Sequence, residues 1–215
     1  LADTTINGVL IKKLENAGFM IKSDDMVVYI DPNGLGDVHI PEKEMADIIL
    51  ITNEYFGHCD PDSIKKVRKS DCTTLIPEQM SLHFRGDARR VMDGDSLADE
   101  LSIKGVDIEV LPAYDSCETA LAPGKGVGYF FLFGGLGIYH AGHTCDIADL
   151  KGLSPDVLML PVGDHVMDIE KAANAVSMFG SVYVIPMFYG LDSTGCPMFT
   201  NIVREKNPSA EVILL

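Results

Sequence analysis

The segment from Asp47 to Pro61 constrains the fold more than any other part of the chain. The apolar run Asp47-Ile48-Ile49-Leu50-Ile51 leads into Thr52-Asn53-Glu54-Tyr55-Phe56-Gly57-His58-Cys59 and then Asp60-Pro61. A short apolar, β-branched run bounded by polar residues reads as a buried strand. Asp60 is a good N-cap and Pro61 suits the first helical position, so the sequence predicts a helix from there to about Lys69. The polar stretch between is a strand end feeding a helix N-terminus, where binding and catalytic side chains concentrate.

Strand-like runs and turns continue on both sides. Val9 to Leu14, Gly18 to Lys22 and Met26 to Ile30 are β-rich, with Ser23-Asp24-Asp25 as a hairpin turn. A strand is expected from Cys72 to Ile76, short helices over Pro77 to Phe84 and Ile147 to Gly152, and a hairpin across Gly134-Gly135. A buried strand is expected at Val157 to Leu160, and Asp168 caps a helix to about Met178. A strand at Val182 to Pro186, a helix from Thr194 to Lys206 and a final strand from Glu211 close the order. Two packed sheets flanked by helices in a single domain spanning residues 1–215 accommodate it.

The 215 residues carry 17 Lys and Arg against 32 Asp and Glu, a formal net charge of −15. Such a surface repels phosphate backbones, so no nucleic-acid partner is expected. The longest apolar stretch, Val127 to Tyr139, is broken by glycines and too short to span a bilayer, so no membrane partner is expected either. Five scattered cysteines without a C-x-x-C spacing do not form a disulfide framework. No basic flank and apolar core is visible at Leu1-Ala2-Asp3-Thr4-Thr5. The expected location is a reducing cytoplasm.

Residues 52 to 58 resemble the first metal-binding loop of the metallo-β-lactamase superfamily, T-H-x-H-x-D-H. Four further segments fit small metal-dependent hydrolases of that superfamily related to sugar-acid lactonases. Leu14-Glu15-Asn16-Ala17-Gly18-Phe19-Met20-Ile21 resembles L-G-H-A-x-F-x-I, and Tyr29-Ile30-Asp31-Pro32 carries I-D-P. Gly126-Val127-Gly128-Tyr129 and Ile138-Tyr139-His140-Ala141-Gly142-His143-Thr144 resemble G-V-G-Y and I-Y-H-A-G-D-T. Leu160-Pro161-Val162-Gly163, Met167-Asp168 and Ile185-Pro186-Met187-Phe188-Tyr189-Gly190 resemble L-P-I-G, M-D and I-P-M-H-Y-G. The resemblance implies an α/β fold, the αββα sandwich, with one or two metal ions, usually zinc, at one sheet edge.

The ligand positions depart from that pattern. Asn53 and Tyr55 stand for the two His residues, Gly57 for the Asp, and only His58 remains. Ala122 stands for a His, His143 for the Asp of G-D-T, and Phe188 for the His of M-H-Y. Phe188 and Ala122 cannot bind a cation, and a Tyr phenol with a pKa near 10 is a poor ligand while protonated. Replacing an Asp by His143 removes the anion that holds two metals about 3.5–4 Å apart. These substitutions predict a degenerate member without the usual two-metal site and with no cofactor, a binding or regulatory protein for an unidentified small molecule or protein. The alternative is a hydrolase of a small ester, lactone or phosphoester. Its one-metal site, for zinc or another divalent ion, would be rebuilt from His58, His140 and His143.

Each remaining residue has a plainer reading. His58 could pack the loop, and His140 could be framework. Asp115 could form a turn, Cys59, Cys117 and Cys145 could be buried apolar groups, and His165 an exposed loop residue. Tyr189 and Asp192 qualify as ligand contacts by position alone, and His39 and His83 carry no motif. A homo-oligomer is expected by resemblance only.

Overall fold

The computed structural model describes residues 2–55, 57–81, 88–98, 102–114, 125–150, 152–189 and 195–215, the side chains at 188 and 189 excepted. Two seven-stranded sheets are built in chain order. The first contains β1 (Asp3–Ile6), β2 (Val9–Lys13), β3 (Phe19–Ser23), β4 (Met26–Ile30), β5 (Ala46–Leu50), β6 (Arg68–Pro77) and β7 (Ala88–Val91). The second contains β8 (Ser96–Leu97), β9 (Ile108–Pro112), β10 (Val127–Phe133), β11 (Leu136–His140), β12 (Val157–Gly163), β13 (Tyr183–Tyr189) and β14 (Glu211–Val212). The described α-helices are α1 (Pro61–Val67), α2 (Ile169–Val176) and α3 (Gly195–Lys206), and Glu42–Glu44 form a 3-10 turn.

Each sheet is half antiparallel and half parallel. β1 to β4 pair antiparallel, and β4, β5, β6 and β7 pair parallel. β8 to β11 pair antiparallel, and β11 to β14 parallel. Short turns join β1 to β4 and β10 to β11, whereas the parallel neighbours need longer crossovers, three of which carry α1, α2 and α3.

Side-chain alternation in the central strands distributes the core between layers. Val28 and Ile30 of β4, Ile48 and Leu50 of β5, Tyr129 and Phe131 of β10, and Val157 and Met159 of β12 fill the space between the sheets. Tyr29, Ile49 and Ile51 face the other way, against Ile64 and Val67 of α1. Leu158, Leu160 and Val162 back onto Ala172, Val176, Phe199 and Val203 of α2 and α3. Both faces of these strands are buried, which explains their near-continuous apolar sequence. The result is the expected αββα sandwich.

Local boundaries differ from expectation in three places. Helix α1 ends at Val67 because Arg68 is already extended and enters β6. No helix follows Pro77 within the described residues. The β6–β7 pairing runs on to Pro77 and Val91, and Glu78 N–H donates to Val91 O at 2.7 Å. The helix expected from Ile147 is also absent in the described part. Ile147 N–H bonds Asp146 Oδ1 at 2.9 Å and Ala148 N–H bonds Tyr139 Oη at 3.3 Å, so side chains replace a helical ladder. Among the described residues no helix is long and apolar enough to cross a membrane.

Candidate functional site

Strands β4 and β5 run parallel and end together, which sets Asp31 beside Thr52. Asp31 N–H continues the ladder to Leu50 O at 2.9 Å. Its side chain, fully buried, accepts from Thr52 N–H at 2.7 Å and Thr52 Oγ1 at 2.5 Å. The Asp31 backbone has φ +44, a conformation that Asp tolerates better than most residues. The second sheet clamps the same loop. Val127 N–H donates to Thr52 O at 2.8 Å and Tyr129 Oη to Ile51 O at 2.9 Å.

Six residues after Thr52, His58 folds back onto Asp31. His58 Nδ1 lies 2.7 Å from Asp31 Oδ2 and 3.0 Å from Thr52 Oγ1, with the imidazole almost fully buried. A carboxylate only accepts, so Nδ1 carries a proton and donates it to Asp31. A carboxylate fixing tautomer and ring direction in this way is the usual support of a metal-ligating imidazole.

His143 reaches the same place from the second sheet. Its ring lies 5.6 Å from that of His58, at 88°. On its other side Tyr55 packs edge-on, at 5.6 Å and 82°, and is itself about half exposed, at 46%. The structure therefore unites Tyr55, His58 and His143. Among the described residues no three His, Cys, Asp or Glu side chains converge as a metal cluster.

His140 is separate from this group and serves the framework. Its Nε2–H donates to Ala17 O at 3.0 Å, and Nδ1 accepts from Gly142 N–H at 3.1 Å. Its edge packs on Phe19 with ring centres 5.8 Å apart. Burial lowers its pKa to about 4, with the Asp31 charge acting in the opposite direction. With Nε2 bonded across to Ala17 O and Nδ1 to the adjacent Gly142 amide, the three-imidazole arrangement including His140 is not formed.

Gly57 shows what became of one vacated ligand position. Its φ is +102, and a Cβ built there would lie 3.3 Å from Asn16 Cγ. Asn16 Nδ2 in turn donates to Asn33 Oδ1 at 3.2 Å. The Asn16 carboxamide thus packs where an aspartate would begin. Lys13 secures this corner, donating to the carbonyls of Leu14, at 3.0 Å, and Asn16.

Asn53 is 1% exposed. Its Oδ1 accepts from Tyr55 N–H at 3.2 Å, whereas Nδ2 is buried without a hydrogen-bond partner among the described residues. Phe188 is placed by its backbone on β13, opposite Val162. Ala122, Asp115, Cys117, Asp192 and His83 lie outside the described residues, as does the side chain of Tyr189. His39 and His165 are exposed. Burial pushes the Cys59 thiol up to about 12, with help from the Asp31 and Asp60 charges, so it is a core group and not a thiolate donor. Cys145 is disulfide-bonded, which corrects the expectation of reduced thiols at this position.

Asp31, Thr52 and Asn16 were not singled out from sequence as site residues. The I-D-P motif was the available signal for Asp31. Nothing local marks Asn16, because its role exists only through contact with Gly57.

Comparisons with known proteins agree with this architecture. The Beta-lactamase superfamily domain matches residues 10–188. A protein of Koribacter versatilis named UPF0173 metal-dependent hydrolase is 27% identical over 202 residues, covering 86% of each chain. A protein of the same name from Archaeoglobus fulgidus is 25% identical over 220 residues, covering 94% of each. A crystal structure described as a metal-dependent hydrolase from Parabacteroides distasonis superposes with a TM-score of 0.78 and 29% identity, covering 96% of this chain and 92% of the other. These names overturn the expectation that no cofactor is involved, and they do not support a non-catalytic binding or regulatory protein. The loss of six ligand types was read too strongly, since it bears on the two-metal arrangement and not on metal dependence as such. With the profile match extending over most of its length, the chain belongs to the β-lactamase superfamily domain family.

Proposed function

We propose that this protein is a metal-dependent hydrolase of a small ester, lactone or phosphoester, with a single divalent ion held by His58 and His143. The observation that carries this reading is the buried Asp31–His58 pair, in which Nδ1 is committed to a carboxylate at 2.7 Å. With Nδ1 so engaged, an ion would be met through Nε2, and the neighbouring His143 ring at 5.6 Å supplies a second imidazole. Among the described residues the donor set is two imidazoles, one short of the three protein ligands of a usual catalytic zinc site, so it would hold at most one ion, with the remaining positions for water or substrate. It does not fit two, because Asn16 packs against Gly57 and His143 replaces the bridging carboxylate.

When bound, such an ion would polarise a carbonyl or phosphoryl oxygen and lower the pKa of water. The chain contributes the rest. Asp31 holds the His58 tautomer, and Thr52 holds Asp31 through two hydrogen bonds. Tyr55 packs edge-on against His143 while remaining half exposed.

Metal content per chain is the test, on protein purified without a metal-affinity tag or chelator. One divalent ion per chain is expected, lost in both His58→Ala and His143→Ala and retained in His140→Gln. Absence of bound metal after incubation with excess zinc, or retention in both variants, would overturn the reading. Ester, lactone and phosphodiester hydrolysis then identifies the bond cleaved.

A further inference from the structure

We propose that Lys13 is a positioning residue for the metal site, its ammonium bracing the turn at residues 14–18 against the Asp31–His58 pair; this rests on the metal-dependent reading above.

That turn, between β2 and β3, has five backbone carbonyls, and each finds a donor. Glu15 O accepts from Gly18 N–H and Gly18 O from Leu14 N–H, both at 2.9 Å. Ala17 O accepts from His140 Nε2 at 3.0 Å, across the two sheets. Leu14 O and Asn16 O remain, and Lys13 Nζ donates to both. An ammonium has three donors and no acceptor, so it suits a pair of converging carbonyls. The same Nζ lies 4.8 Å from the ring centre of Phe19, which meets His140 edge-on.

The turn borders both members of the buried pair. Gly18 comes so close to Asp31 that a Cβ there would lie 2.7 Å from Asp31 O. The Asn16 side chain lies against Gly57, the neighbour of His58, and bonds Asn33, two residues after Asp31. Ala17 holds His140, whose Nδ1 takes the Gly142 amide beside His143. One turn therefore meets the chain next to each candidate ligand, and Lys13 supplies the donors for two of its carbonyls.

Lys13 keeps this place against its own solvation. Burial lowers its pKa to about 8, opposed by the charges of Asp31 and Glu15. It stays mostly protonated at neutral pH, and its charge helps to lower the pKa of His140. A half-buried charge is tolerated where hydrogen bonds repay its desolvation, as the two carbonyls do here. Its two possible effects on a bound cation have opposite signs. By charge alone the ammonium repels a divalent ion, whereas through the turn it holds His58 in place.

The experiment measures zinc affinity by chelator competition, together with the Gly57 amide and His140 ring N–H resonances of the metal-free protein. Lys13→Met fills the same space beside Phe19 but removes the donors. It is expected to weaken zinc binding about 10–100-fold, as losing a support behind a ligand does, and to shift both resonances. Lys13→Arg still donates to carbonyls and is expected to keep wild-type affinity. Lys22→Met removes a similar bond, to Lys43 O on the exposed surface, and is expected to change neither readout. Unchanged zinc affinity in Lys13→Met overturns the proposal. So does a raised affinity, which makes the ammonium a source of repulsion only, and so does an equal loss in Lys22→Met. If Lys13→Met fails to fold, Lys13→Gln decides, with wild-type affinity again overturning the proposal. Zinc bound equally by wild type and Lys13→Met removes the brace and leaves the metal reading. Zinc bound by neither removes the metal reading, and the Gly57 and His140 resonances then decide whether Lys13 holds the pair.

Discussion

Asp31 Oδ2 and His58 Nδ1 lie 2.7 Å apart with both side chains sealed from solvent, and the same carboxylate accepts two hydrogen bonds from Thr52. Removing the carboxylate leaves three buried donors without their acceptor. Asp31→Ala is expected to destabilise the fold by about 3–5 kcal/mol, as for other broken buried pairs. Asp31→Asn keeps the shape and the positive φ, and should instead lower metal affinity about 10–100-fold through the His58 tautomer. Urea unfolding and zinc titration of the two variants separate these effects; a wild-type zinc affinity in Asp31→Asn would refute the orienting role.

His140 gives the fold a pH dependence of known sign. Its pKa is lowered from 6.5 to about 4 in the folded chain, chiefly by burial. Between those values the unfolded chain binds the extra proton, so stability falls as pH drops through this window and has no further contribution below it. At roughly 1.4 kcal/mol per unit, the loss approaches about 3 kcal/mol. His140→Gln, which can still donate to Ala17 O, should show a shallower decline in urea midpoint from pH 7 to pH 4.5. Identical pH slopes in the two proteins would exclude His140 as the source.

The layered core was legible because its signal is periodic. In β4 and β5, Val28, Ile30, Ile48 and Leu50 point between the sheets while Tyr29 and Ile49 point outward, so nearly every position had to be apolar. His58 was legible by its place after a strand and before a capped helix. Asp31 was not selected, because an Asp before Pro at a strand end reads equally well as a turn residue. Only the return of the 52–58 loop makes it a buried partner. His140 was misgrouped for a related reason. Its H-x-x-H spacing with His143 is local, but its acceptor, Ala17 O, lies on the other sheet. The short helices failed where backbone amides found tertiary acceptors, as at Ala148.

Gly126 is required by the space around Asn53. A Cβ 2.9 Å from the Thr52 backbone oxygen and 2.5 Å from Asn53 Nδ2 cannot be accommodated without moving one of them. Gly126→Ala should destabilise by about 1–3 kcal/mol, the range of overpacked cores. For a chain of this size that is a fall of several degrees, about 2–4 °C per kcal/mol, in Tm. An unchanged Tm would mean that the Asn53 carboxamide is loosely held and free to move aside.

Gly57 predicts that the two-metal site cannot be recovered by one substitution. Gly57→Asp restores the ligand type seen in the superfamily loop, but it places a side chain on a backbone at φ +102. Holding a non-glycine residue in such a conformation costs about 1–3 kcal/mol. The new Cβ also meets the Asn16 carboxamide at 3.3–3.5 Å, on the side tied to Asn33. Combining Gly57→Asp with Asn16→Ala relieves the contact but not the backbone strain, and His143 still lacks the charge of a bridging carboxylate. Both variants should therefore be less stable than the wild type and bind no more than one ion per chain. Elemental analysis together with thermal unfolding checks this. A second equivalent of zinc in the single variant would show that the site retains the two-metal geometry and that Gly57 alone suppresses it.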